Sequence, residues 1–306
     1  MLGLLLSPSL SEADPDLVRL HVDGNRIVMG KPGLASSKTA MLRGVSCSWH
    51  NWWPQFHSAA TVRGLKSDFH ANVVRTFIGV EKEGGFLTNQ QKAYDCCYAV
   101  VDECIAQGIY VIINWASFVL TYQTQATQFF KTVATKYHSS SYVIYELLNE
   151  PEAATWAQIK PYSQALIQTI RAIDPSNLIL VPTPRWDQEI GAAANDPITG
   201  DNNLAYTLHI YTGTHPASYR DDARAAKKKI PVWADENGAM NADGKGALDR
   251  TGWNTWIAFY EELQIPWLGY GTQDTSETCS IFKSTDSFND LSDWGKLLKE
   301  TIRKYQ

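Results

Sequence analysis

Residues 142–183, YVIYELLNEPEAATWAQIKPYSQALIQTIRAIDPSNLILVPT, decide the fold. The stretch opens on an apolar, β-branched run that ends at Asn149-Glu150-Pro151. From Trp156 to Ile173 the period changes, and Ile159, Tyr162, Leu166, Ile167 and Ile170 fall on one helical face. Asp174-Pro175 stops that helix, because proline cannot continue the hydrogen-bond ladder. A second apolar run follows at 178–183. Strand, helix and strand thus follow one another within about forty residues, as an α/β unit does.

The same rhythm extends in both directions. Strand-like runs occur at 40–47, 71–80, 109–115, 142–149, 178–183, 204–211, 231–236 and 266–271, with helical periodicity between most of them. Eight strands alternating with helices predict a single (β/α)8 TIM barrel over residues 40–306. No glycine-rich phosphate loop follows any of the strands, which argues against a dinucleotide fold. Residues 17–30 read as a short N-terminal β-hairpin around Asp23-Gly24-Asn25. Residues 1–16 read as a leader or a disordered segment, with an apolar start consistent with secretion but no basic n-region. No linker or repeat divides the chain, so the expectation is one domain over 1–306.

Composition excludes some partners and favours others. The chain has 306 residues and a net charge of −5 with interspersed signs, so neither nucleic acid nor an anionic membrane is expected as a partner. Eleven Trp and fourteen Tyr supply many flat rings with a polar edge, which suit sugar faces as well as cores. The five cysteines lack metal-ligand spacing, and Cys97 and Cys104 on a predicted helix read as buried free thiols. His209 and His215, six apart, give only a weak metal signal, so no metal and no cofactor are expected.

Barrel active sites lie at the C-terminal strand ends. There the chain places Arg75 on the second strand, Asn149 and Glu150 on the fourth, and His209 and Tyr211 on the sixth. Asp235 and Glu236 end the seventh, and Trp267 and Tyr270 lie on the eighth. Period-two alternation lets His209 and Tyr211 both face the axis, and lets only one of Asp235 and Glu236 do so. Glu236, nearer the loop, is chosen. Glu146 shares parity with Glu150 one layer lower, where Arg75 would balance its charge. Strands four and seven lie roughly 13–14 Å apart in such a ring. Two facing glutamates would then leave about 6 Å between carboxyl groups, a spacing suited to work on either side of a glycosidic bond.

These residues, in this order, resemble glycoside hydrolase family 5, within the clan of retaining (β/α)8 glycosidases. The likeness is greatest to bacterial-type endo-β-1,4-glucanases. It runs from Leu42-Arg43-Gly44 through Val74-Arg75, Asn149-Glu150-Pro151 and His209-Ile210-Tyr211 to Val232-Trp233-Ala234-Asp235-Glu236, and covers most of residues 40–283. The resemblance implies Glu150 as acid/base and Glu236 as nucleophile. Asn149 would bind the sugar 2-OH, Tyr211 and Arg75 would attend Glu236, and His209 would orient the acid/base. Trp52 and Trp186 would stack on sugars, with Tyr270 and Glu277 as further substrate contacts.

The family pattern breaks at four places. Ser48 stands where family glucanases carry His, and Asn114-Trp115-Ala116 replaces Asp-Trp-His. Gly269-Tyr270 replaces Asn-Trp, and Thr275 replaces Lys. His50, in the cluster Trp49-His50-Asn51-Trp52-Trp53, is expected to supply replacement contacts. The expected activity is that of a monomeric, secreted endo-β-1,4-glucanase acting on a polysaccharide. Mannan or chitosan, or sugar binding with weak catalysis, stand as alternatives.

Overall fold

A computed structural model describes residues 18–30, 37–284 and 287–306. The leader read at 1–16 lies outside the described residues.

The parallel strands β4 (Arg43–Cys47), β5 (Val73–Arg75), β7 (Tyr110–Ala116), β8 (Val143–Glu146), β9 (Ile179–Val181), β10 (Leu204–Tyr211), β11 (Val232–Gly238) and β12 (Trp267–Thr272) pair in sequence. Pairing of β12 with β4 closes the ring. The short β6 (Ile78–Gly79) carries the second strand upward, pairing with Trp115 and Ala116 of β7. This is the eight-stranded barrel expected, with the helices packed outside it.

Helix Trp156–Arg171 buries Trp156, Ile159, Tyr162, Leu166, Ile167 and Ile170, the face that the 3.6-residue period marked. It ends three residues before the expected stop. Arg171 there turns to Asp201, with Nε 2.6 Å from Oδ2, and donates to the Asp174 carbonyl.

The N-terminal hairpin, β1 (Leu20–Asp23) and β2 (Arg26–Met29), turns at Gly24, whose φ of +64° suits a residue without Cβ. A third antiparallel strand, β3 (Lys38–Thr39), joins it. Leu20, Ile27 and Leu42 close the barrel floor against Val73, Ile112, Ile144, Leu180, Trp233 and Leu268. All five cysteines are free and buried.

One irregularity matters for the site. Between Thr207 and His209 of β10, strand β11 runs from Trp233 to Glu236, three steps against two. It shows the same excess against β12, where Ala234 pairs with Trp267 and Asn237 with Gly269. A β-bulge therefore sits at Asp235, and a bulge resets which face the following side chains take. Both Asp235 and Glu236 consequently turn to the barrel axis, which corrects the expectation that only one could.

Candidate active site

The floor of the cleft is a buried ionic layer. Arg75, fully buried, donates from Nε and Nη2 to both oxygens of Glu146 at 2.7 Å each, the fork geometry of a bidentate pair. Its Nη1 donates to Glu236 Oε2 at 2.7 Å, and its Nη2 also reaches Asn149 Oδ1 at 2.5 Å. Tyr211 Oη donates to the other oxygen, Glu236 Oε1, at 2.7 Å. Both oxygens of Glu236 are thus held by donors, as suits a carboxylate anion.

Glu150 has a different setting. Burial, and then the charge of Glu236, push its carboxyl above the ordinary range, while the hydrogen bond to His209 opposes the rise. His209 Nδ1 lies 2.8 Å from Glu150 Oε1. A carboxylate oxygen of Glu150 and one of Glu236 lie within 4.8 Å of each other. One acid pushed toward its protonated form beside a carboxylate held by donors is a pair fitted for general acid and nucleophilic work.

Two cavities flank this pair. One, of about 280 Å³, is walled by Trp49, Trp52, Phe77, Phe118 and Tyr270, with Gln273 and Glu277 at its polar side. The rings form a tilted stack, with Trp49 4.8 Å from Phe77 and 5.0 Å from Trp52. The other, of about 560 Å³, is lined by Trp186, Gln188, Thr214, His215 and Tyr219. Trp52 and Trp186 are 48% and 37% exposed, so each has a ring face free to meet a ligand.

Trp186 stands on an unusual turn. Arg185, Trp186 and Asp187 have φ of 53°, 53° and 58°, three successive left-handed residues without glycine. The turn sends the Trp186 ring outward and Asp187 into the core. There Thr207 Oγ1 donates to Asp187 at 2.6 Å, and the Thr183 N–H donates to the same oxygen.

Arg75, Asn149, Glu150, His209, Tyr211 and Glu236 therefore meet on one rim, and Trp52, Trp186, Tyr270 and Glu277 line the cleft on either side of them. His50 does not. It is fully buried beneath the rim, and its Nδ1 accepts the Gly79 N–H at 3.0 Å. The expectation that it touches the sugar is corrected, because adjacency to two exposed tryptophans does not bring its own side chain to the surface. Ser48, Asn114 and Ala116 are likewise fully buried.

The sequence reading missed the inward Asp235, the buried Asp187 and the ring wall of Trp49, Phe77 and Phe118. It also understated the charge on this rim. Two triads, Glu146–His209–Asp235 and Glu150–His209–Glu236, each bring donor atoms within 4.8 Å. His215, paired with His209 in that reading, instead accepts the Tyr211 N–H at Nδ1 and meets Gln188 at Nε2.

Comparison with known proteins fits this geometry. The profile of "Cellulase (glycosyl hydrolase family 5)" matches residues 34–276. The chain belongs to glycosyl hydrolase family 5. Endoglucanase Z of Dickeya dadantii (strain 3937) is 38% identical over 99% of the chain and 70% of its own length. An endoglucanase of Clostridium saccharobutylicum is 34% identical over 88% of the chain and 62% of its own length. The chain thus spans roughly two thirds of these relatives. A solved structure from Cytophaga hutchinsonii superposes with a TM-score of 0.89 at 34% identity, covering 94% of each chain. The catalytic domain of Thermobifida fusca endoglucanase Cel5A (E5) does so with 0.87 at 25%, covering 94% of this chain and 98% of that one. Family 5 enzymes are glycosidases that act with retention at the anomeric carbon.

Proposed function

We propose that this chain is an endo-β-1,4-glucanase in which Glu236 is the nucleophile and Glu150 the acid/base. The observation that carries the reading is the contrast between the two glutamates. Glu236 is held at both oxygens by Arg75 and Tyr211, while half-buried Glu150 is pushed toward its protonated form, with an oxygen of each carboxylate within 4.8 Å of the other. That closeness suits the retaining spacing of about 5–5.5 Å between carboxyl groups.

In the first displacement, Glu236 attacks the anomeric carbon while Glu150 gives its proton to the glycosidic oxygen. The C–O bond breaks, the shortened chain leaves as an alcohol, and a glycosyl ester on Glu236 remains. Glu150, now a carboxylate, takes a proton from water as the water oxygen attacks the same carbon. Glu236 is released and Glu150 is protonated again. Asn149, lining the ring-walled cavity, would meet the sugar 2-OH. The glycone would lie on the Trp52, Tyr270 and Glu277 side and the aglycone on the Trp186 side. Room on both sides of the pair supports cleavage within a chain.

Such a polymer meets its enzyme outside the cell, so we infer that this one acts there. No helix among the described residues is long and apolar enough to cross a membrane.

The test compares wild type and Glu236→Gln on carboxymethyl cellulose, mannan and chitosan, with product anomers followed by NMR. Wild type is expected to release β-anomers from the glucan, and the variant to lose on the order of 10⁴–10⁶-fold in kcat, as losing a member of the catalytic machinery does. Undiminished hydrolysis by the variant, or initial α-anomer, overturns the reading.

A further inference from the structure

His209 connects the acid/base to a carboxylate that the mechanism above does not use. Its Nδ1 lies 2.8 Å from Glu150 Oε1, and its Nε2 lies 3.3 Å from Asp235 Oδ1. Asp235 is fully buried, and neither of its oxygens accepts a hydrogen bond from a protein group. A buried carboxylate so placed depends on nearby cations. It has two, the imidazole of His209 and Arg75, whose Nε lies 3.6 Å away. The bulge in β11 exists at the residue that makes this contact, and without it Asp235 and Glu236 could not both face the axis.

We propose that Asp235 is a positioning residue for the acid/base: by ion-pairing with Nε2 of His209 it keeps the imidazole doubly protonated, so that Nδ1 always donates to Glu150. The proposal rests on the acid/base reading of Glu150. After Glu150 has given up its proton, the imidazolium donates to the carboxylate left behind and stabilises it beside Glu236. Nδ1 then meets an acceptor in Glu150, while Nε2 faces Asp235 at 3.3 Å as a contact of charge.

Every charged neighbour of the ring bears on this. Glu146 and Glu150 face it from β8 and its loop, Asp235 and Glu236 from β11, Asp187 from the turn after β9, Arg75 from β5, and His215 from the turn after β10. Burial alone would lower the imidazole, and the carboxylates of Asp187 and Asp235 overcome it. The two aspartates differ, however. Asp187 stands farther off, at 3.8 Å, burial pushes its carboxyl up to about 8, and one of its oxygens already accepts from Thr207 and Thr183. Asp235 feels the same burial, but His209 and Arg75 bring it below the ordinary carboxylate range. Asp235, nearer the ring at 3.3 Å and with neither oxygen taken by a hydrogen-bond donor, is the anion assigned to it.

The test begins on the unaltered protein. Nitrogen-15 NMR of His209 should show an imidazolium throughout pH 5–8, and a neutral ring at pH 7 overturns the proposal. In Asp235→Asn the ring becomes neutral, and loss of a cation beside Glu150 favours its protonated form. The alkaline limb of kcat/KM should therefore move up by about one pH unit. Asp187→Asn, an equally buried change, should move it by less than half as much. A larger shift from Asp187→Asn overturns the assignment to Asp235. So does an Asp235→Asn profile that is lower but has its alkaline limb in place, the result of disturbing Arg75 alone. Rescue of Glu150→Ala by azide tests the acid/base reading separately, so the two failures leave different signatures.

Discussion

The lower and upper halves of the barrel are built from the same strands and have opposite chemistry. On β5 the inward residue is Val73 below and Arg75 above, on β8 Ile144 and then Glu146, and on β11 Trp233 and then Asp235. Two residues along a strand, about 7 Å, separate an apolar layer sealed by the hairpin from a layer of buried charge. The lower layer is held by packing, which is tolerant of direction. In the upper layer each charge must face its opposite, because an unpaired buried ion is destabilising by several kcal/mol. Closing the ring requires only the lower kind of layer. The upper kind holds the surroundings of Glu150 and Glu236, and its geometry is correspondingly less forgiving.

Arg75→Met should break this comparison most severely. It leaves Glu146, Asp235 and Glu236 together without the guanidinium that they share, and should cost about 3–5 kcal/mol in urea denaturation, with activity largely lost. The pH dependence has a definite sign. Burial already raises the Glu146 carboxyl, against the pull of Arg75, and removing Arg75 raises it further. A group whose folded pKa lies above its unfolded value near 4 favours the fold below that pH and loses the contribution as pH rises. The variant should therefore be least stable at the alkaline end, and a deficit equal at pH 4 and pH 8 would contradict the account.

Leu180→Ala in the lower layer should act on stability alone. Leu180 is fully buried in the floor cluster, so the cavity should cost about 2–4 kcal/mol. Measured well below the transition temperature, kcat/KM should stay within about twofold of wild type, since no charge changes its partner. A large fall in kcat/KM in folded protein would mean that the two layers are not separable.

The sequence makes legible whatever obeys an uninterrupted period. Eight apolar runs and the helical face at Ile159, Tyr162 and Leu166 specify the barrel, and strand ends bring Arg75, Glu150, His209, Tyr211 and Glu236 to one rim. Asp235 escapes this reasoning because parity assumes a ladder without bulges, and nothing in Val232-Trp233-Ala234-Asp235-Glu236 marks the extra residue. Asp187 escapes it because three left-handed residues place it, and no glycine announces the turn. His50 was misplaced for a related reason. In a run of aromatic and polar residues after a strand, alternate side chains face cleft and core, and only packing says which.

The smallest predicted effect concerns the two exposed tryptophans, which the same cleft uses unequally. Trp52 packs on Trp49 and Trp53, with ring centroids 5.0 and 5.8 Å away, so its plane is set by neighbours. Trp186 is placed instead by its own backbone, on the left-handed turn between Arg185 and Asp187. If the glycone lies toward Trp52 and the aglycone toward Trp186, each truncation has its own signature. Trp186→Ala should raise KM on long glucans about fivefold, corresponding to about 1 kcal/mol of lost stacking. It should leave kcat/KM unchanged on an aryl cellobioside, whose small leaving group reaches no further than the acid/base. Trp52→Ala should weaken both substrates by a similar factor, because both place sugar on the glycone side. Equal losses on the aryl substrate from the two variants would reverse or erase the polarity assigned to the cleft, while leaving the pairing of Glu150 with Glu236 untouched.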